Sequence, residues 1–370
     1  MVGRGRVYAW SVGLSVLLVA SVIASAAIGP VWIEPIVVAK AILNAIVLPT
    51  GGGIDGTTLP VLGWSIPRPS IEFTPLFAFE VHGPHETIVT QIRLPRIVLA
   101  AVVGLALGVA GTVMQGFFRN PLADPSIIGV SSGAAVGAVA ILAFPGLIPL
   151  ASMHSAAFVG ALLAAFLVYA IATEGGRTPV ATLLLAGVAV QAFLGAVISY
   201  LLLQSGDGLR QAILWMMGRL NEASWGDVGF SFPFVVVGTG VLLAYTRELN
   251  VLLLGEEEAH HLGIEVERTK VILLAVASIV TAAGVAVAGI IGFVGLVVPH
   301  MMRLVVGPDH RILLPTSALA GATFLVVTDT IARSGSDLVP VDIVPVGIVT
   351  AALGAPFFLF LLARREVHAL

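Results

Sequence analysis

Apolar runs of about 20 residues, the length that crosses a bilayer as a helix, recur along nearly the whole 370-residue chain. They read as spans at 7–28, 97–115, 127–144, 156–173, 180–203, 228–245, 271–289, 290–305, 313–332 and 343–362. Lipid offers the backbone no hydrogen-bond partners, so a span must be a helix or a strand of a closed barrel. Period-2 alternation is absent, which leaves helices. The expected fold is therefore all-α, polytopic, with about ten transmembrane helices and one broken short helix.

Composition supports this reading. Hydrophobic residues make up 58% of the chain and charged residues 11%, against roughly a quarter in soluble domains. A net charge of -3 offers no basic footprint for nucleic acid, and the lack of cysteine removes disulfides and thiolate chemistry. Arg4 and Arg6 before an apolar run ending in Ala24-Ser25-Ala26 resemble a cleavable signal. The length of the run favours a retained span.

The stretch from Val271 to Met302 is about twice the length of one span, and it holds Gly284, Gly289, Gly292, Gly295 and Pro299. It reads as a full span followed by a short helix turning back into the membrane. With a cytoplasmic N-terminus, eleven Lys and Arg residues fall inside and seven outside. Ten spans then return Arg364 and Arg365 to the cytoplasm. Residues 29–92 form a long external segment, amphipathic at Ile36 to Val47 and loop-like from Thr50 to Phe77. Residues 247–270 form a cytoplasmic segment that Gly255 and Gly263 divide into short helices.

Neither Lys40 nor Lys270 follows a glycine, so there is no Walker phosphate loop, and no nucleophile or zinc-protease motif occurs. The chain is expected to hydrolyse nothing and to hold no cofactor or metal. His260 and His261 are adjacent and point apart on a helix, a poor metal pair. Span interiors are nearly free of ionisable groups, which argues against an ion-coupled secondary transporter, the alternative class. Gly104-x3-Gly108 and Gly129-x3-Gly133-x3-Gly137 put small residues on one helix face, either for packing within the chain or for a subunit interface or pore lining. Arg93-Leu-Pro-Arg96 sets positive charge at an outer helix end, against the orientation rule. That suggests headgroup contact or docking of an acidic partner. Phe118 to Pro125, bounded by Asn-Pro and Asp-Pro, makes a tight inner hinge.

These segments, with Gln115-Gly-x-Phe-Arg-Asn-Pro-Leu-Ala-Asp-Pro125, Leu254-Gly-Glu-Glu-Glu-Ala259, Gly289-Ile-Ile-Gly-Phe-Val-Gly-Leu-Val-Val-Pro-His300, Asp309-His-Arg311 and Pro345-Val-Gly-Ile-Val-Thr350, resemble the permease subunits of FecCD-type ABC importers. The resemblance spans residues 93 to 362. It implies a single permease domain over residues 1–370 and a homodimer with its path on the two-fold axis. The setting would be the bacterial inner membrane, with both termini cytoplasmic. Two ATPase subunits, which bind the ATP and Mg, would dock inside and one substrate-binding protein outside. It implies ATPase coupling through Leu254, Gly255, Glu256, Ala259, Leu262 and Gly263, and an inner gate at Arg119, Asn120, Pro121, Asp124, Pro125, Arg177, Thr178 and Pro179. Binding-protein docking would fall to Arg93, Arg96 and Arg333. The cargo would be cobalamin, a ferric siderophore or haem. Haem is slightly favoured for an apolar path with Met114, Phe117 and Met217 as soft wall residues.

Overall fold

The computed structural model describes residues 4–58, 65–146, 152–335 and 344–363. Arg364 and Arg365 lie outside them. In chain order the helices are α1 (Arg4–Ala27), α2 (Pro35–Asn44), α3 (Gly83–Thr87), α4 (Leu94–Phe117), α5 (Val130–Ala143), α6 (Met153–Ala172), α7 (Val180–Gln204), α8 (Leu209–Met216), α9 (Trp225–Ala244) and α10 (Thr246–Leu252). They continue as α11 (Glu256–His261), α12 (Val266–Ala288), α13 (Val294–Val306), α14 (His310–Gly335) and α15 (Val346–Ala363). Each of the ten expected spans coincides with one helix. Seven, namely α1, α4 with the turns that precede it, α6, α7, α9, α12 and α14, are long and apolar enough by themselves to cross a membrane; α5, α13 and α15 are shorter.

One expectation fails in the external segment. Residues 50–77 are not all loop: β1 (Val47–Thr58) and β2 (Ser65–Pro75) pair antiparallel into a two-stranded ribbon. Glycine and proline, which argue against strands, mask this in the sequence. The amphipathic stretch before it is α2, with Val38 and Ala41 buried and Ile36 exposed.

Helix α4 is the axis of the fold, buried along nearly its whole length. Glycine lets its neighbours reach it. A side chain at Gly104 would overlap the carbonyl of Gly321, one at Gly108 that of Ser317, and one at Gly111 that of Gly295. Gly133 and Gly137 of α5 meet Gly160 and Ala156 of α6 in the same way. The small-residue stripes therefore serve close packing within this chain, backbone against backbone, which is how helices associate where solvent offers no hydrophobic drive.

The break between α12 and α13 falls at Gly289, where φ is 72°. It ends at Phe293, a non-glycine residue at φ 68° whose ring packs on Gly354 of α15. Gly218 sits against the carbonyl of Ile290, and Gly347 against those of Met217 and Ile290. The break is thus clamped between the end of α8 and the start of α15.

Candidate functional site

The three outer arginines come together, but they turn inward. A π-helical turn over Ile88–Arg93 precedes α4, and its extra residue per turn re-aims the side chains after it. Arg93 is 6% exposed and donates to the carbonyls of Ala26, Ala27 and Val31, so it caps the end of α1. Arg96 meets Asp329 through Nε and Nη2 at 2.7–3.0 Å, and Asp329 is 1% exposed. Arg333 donates to Ser25 and stands 3.3 Å from Asp329. Thr330 also reaches Ser25. The guanidiniums tie α1, α4 and α14 together. The pairing of Asp329 and Ser25 with these arginines is a long-range contact that the sequence did not mark.

The inner end is built differently. Helices α10 and α11 are divided at Gly255, whose φ of 127° suits only glycine, and α11 ends before Gly263 at φ 80°. Leu254 and Leu262, which bracket α11 in sequence, are 63% and 58% exposed, and Glu256 and Glu257 are exposed as well. Ala259 is fully buried, so it belongs to the core and not to an outward apolar face. A helix of only six residues gives too weak a periodicity to reveal that in sequence. Among the described residues no group of acidic and histidine side chains is arranged to hold a metal.

Two turns flank this segment. In the first, Phe117 and Phe118 meet edge to face at 5.0 Å, Arg119 takes φ 48°, and Asn120 Oδ1 accepts from Leu122 N–H. Asp124 accepts from Ser126 N–H at 2.8 Å. Burial pushes its carboxyl above the usual range, and the Ser126 bond works the other way. Pro125 packs on Gly295 of α13, and Gln191 of α7 donates to the carbonyls of Ser126 and Ile127. In the second turn Glu174 and Arg177 exchange backbone bonds, Thr178 is buried, and Pro179 leads into α7. The first turn joins α4 to α5 and the second joins α6 to α7.

Of the three wall residues, Met114 and Phe117 are buried in the core, and Met217 is 42% exposed at the end of α8. Gln115, quoted only as the start of a motif, joins α4 to α13 with its amide through Leu296 O and Arg303. Polar residues inside an apolar span were the available signal for Gln115 and Gln191.

The profile of the FecCD transport family matches residues 17–364. The cobalamin import system permease protein BtuC of Halobacterium salinarum is 56% identical over 99% of this chain and 98% of its own length. The hemin transport system permease protein HmuU of Yersinia pestis is 44% identical over 80% of this chain and 89% of its own length. A solved structure described as an inward-facing metal-chelate type ABC transporter superposes with a TM-score of 0.75 at 29% identity, covering 96% of this chain and 98% of that one.

Proposed function

This chain belongs to the FecCD transport family and is a membrane-spanning permease of the ABC-importer kind, not an enzyme; we propose that its cargo is a cobalamin. The observation that carries the cargo is the 56% identity, over essentially both full lengths, to a protein named for cobalamin import, against 44% over a shorter stretch for the hemin relative. The slight preference for haem rested on an apolar path with Met114, Phe117 and Met217 as wall residues, of which Met114 and Phe117 are buried and Met217 is exposed.

The permease works as a homodimer in the cytoplasmic membrane, both termini inside, with residues 1–370 as one domain and 29–92 outside. Two ATPase subunits bind ATP and Mg and dock on the 247–270 segment. The exposed Leu254 and Leu262 supply the apolar contact, and Glu256 and Glu257 the polar rim. The turns 118–125 and 174–179 close the inner mouth. A binding protein delivers cargo outside, on a surface other than the inward-turned arginines. Asp329 stands between two arginines and is committed to salt bridges with both.

The test is uptake into proteoliposomes holding the permease, its ATPase and its binding protein. ATP-dependent entry of radiolabelled cyanocobalamin is expected. Entry of haem or ferric citrate without cobalamin overturns the cargo.

A further inference from the structure

We propose that two polar fasteners carry movement of the docking segment to the two inner turns, Asn250 to turn 118–125 and Lys270 to turn 174–179. The inference rests on the reading that 247–270 receives the ATPase, and it goes beyond that reading by naming the residues that transmit the motion.

The first fastener starts on α10. Asn250 Nδ2 donates to Asp309 at 2.7 Å, while its Oδ1 accepts from His310 N–H at 2.9 Å. The same Oδ1 lies 2.8 Å from His310 Nδ1, which places the ring proton on Nδ1. Asp309 also accepts from Arg311 N–H. The first turn of α14 is therefore capped jointly by its own aspartate and by a side chain from another element. His310 is fully buried, and its Nε2 would be 2.6 Å from a β-carbon at Gly116, so the ring rests on the last turn of α4. The adjacent Gln115 carbonyl accepts from Asn120 N–H at 3.1 Å. A shift of α10 thus reaches the turn where Arg119 is held at φ 48°, a conformation that persists only where neighbours impose it.

The second fastener starts on α11. Lys270 is 2% exposed and lies 3.1 Å from Glu256 of α11 and 3.0 Å from Glu267 of its own helix. The second oxygen of Glu267 accepts from Thr178 N–H at 3.2 Å. One buried ammonium thereby joins the docking helix to the second turn through a carboxylate. Polar contacts of fixed geometry transmit direction where apolar side chains slide, and a buried ion pair is costly to break.

The chain has no cysteine, so one introduced thiol reports one position. Leu122→Cys marks the first turn and Glu174→Cys the second. In the permease–ATPase complex in nanodiscs, the rate of fluorescent-maleimide labelling of this chain is measured with and without ATP and Mg. Nucleotide should change the rate at both positions. Asn250→Ala should shrink that change about tenfold at Leu122→Cys and leave it at Glu174→Cys. Lys270→Met should do the reverse. Asp309→Ala, which strips the same hydrogen bond, replaces Asn250→Ala if that variant does not fold. Equal loss at both turns, or no loss at either in a complex that still holds its ATPase, overturns the inference. So does the absence of a nucleotide response in the unaltered background. The docking reading fails separately: it falls if Leu254→Glu with Leu262→Glu still retains the ATPase.

Discussion

The two ends of the molecule treat their conspicuous side chains in opposite ways. At the outer end three arginines, placed where a partner would be sought, fold into the chain and hold α1, α4 and α14. At the inner end two leucines, the kind of residue a fold usually buries, stand out beside α11. The contrast teaches that exposure and pairing, and not residue type, separate a fastening from a docking surface. Charge that finds buried partners within the chain is committed there, whereas exposed leucines beside acidic residues on a short helix lack such a commitment.

The largest way to break this comparison is Asp329→Ala. It leaves Arg96 without its partner in a buried site and should cost about 3–5 kcal/mol. A thermal unfolding scan of the purified permease should show a marked fall. If instead stability holds and only binding-protein affinity drops, the outer arginines dock after all.

Next comes Gly116→Ala, which sets a methyl against His310 and should cost about 1–3 kcal/mol by overpacking. The same scan reads it. An unchanged midpoint would mean that the ring has room to move away, and the contact between α14 and α4 would be looser than described.

Leu254→Glu with Leu262→Glu should change stability by no more than about 0.5 kcal/mol, because both positions are exposed. The ATPase should nevertheless fail to co-purify. Loss of the fold itself would place these leucines in the core and erase the contrast between the ends.

The smallest effect is a dependence on pH. The fold raises the Asp124 carboxyl above its unfolded range, so the protonated form is the one it favours. That stabilisation is complete below the unfolded pKa, about 4, and is lost as pH climbs to the folded value. Asp124→Asn keeps an acceptor for Ser126 N–H and has no charge to desolvate. Its stability relative to the wild type should therefore improve as pH rises above about 4. Unfolding scans of both proteins across that range supply the check, and a constant difference would show that this carboxyl is not desolvated.

What the sequence revealed follows from solvent. Lipid demands long apolar helices, so all ten spans and the break at Gly289 were legible within a few residues. Gly255 and Gly263 announced short helices because only glycine is at ease at their φ values. What stayed hidden depends on direction. Arg93 points inward because of a π-turn no sequence rule marks, and Ala259 is buried on a helix too short to show a face. The ribbon of β1 and β2 escaped because local composition argues for loop there. Lys270 and Asp329 stand in none of the quoted motifs, and the contacts of Asn250, Lys270 and Asp329 are visible only in the fold.

The bond between Arg96 and Asp329 joins residues 233 positions apart, and the backbone contact of Gly104 with Gly321 spans nearly as far. Synthesis therefore delivers α4 to the membrane long before the helix that completes it. While the nine described helices α5 to α13 are made, its glycine groove at Gly104 and Gly108 and the Arg96 guanidinium wait without their partners. The last third of the chain thus decides whether the first third is stable. Truncation or stalled synthesis before α14 leaves α4, a helix apolar enough to insert, without the backbone that its Gly104 and Gly108 receive.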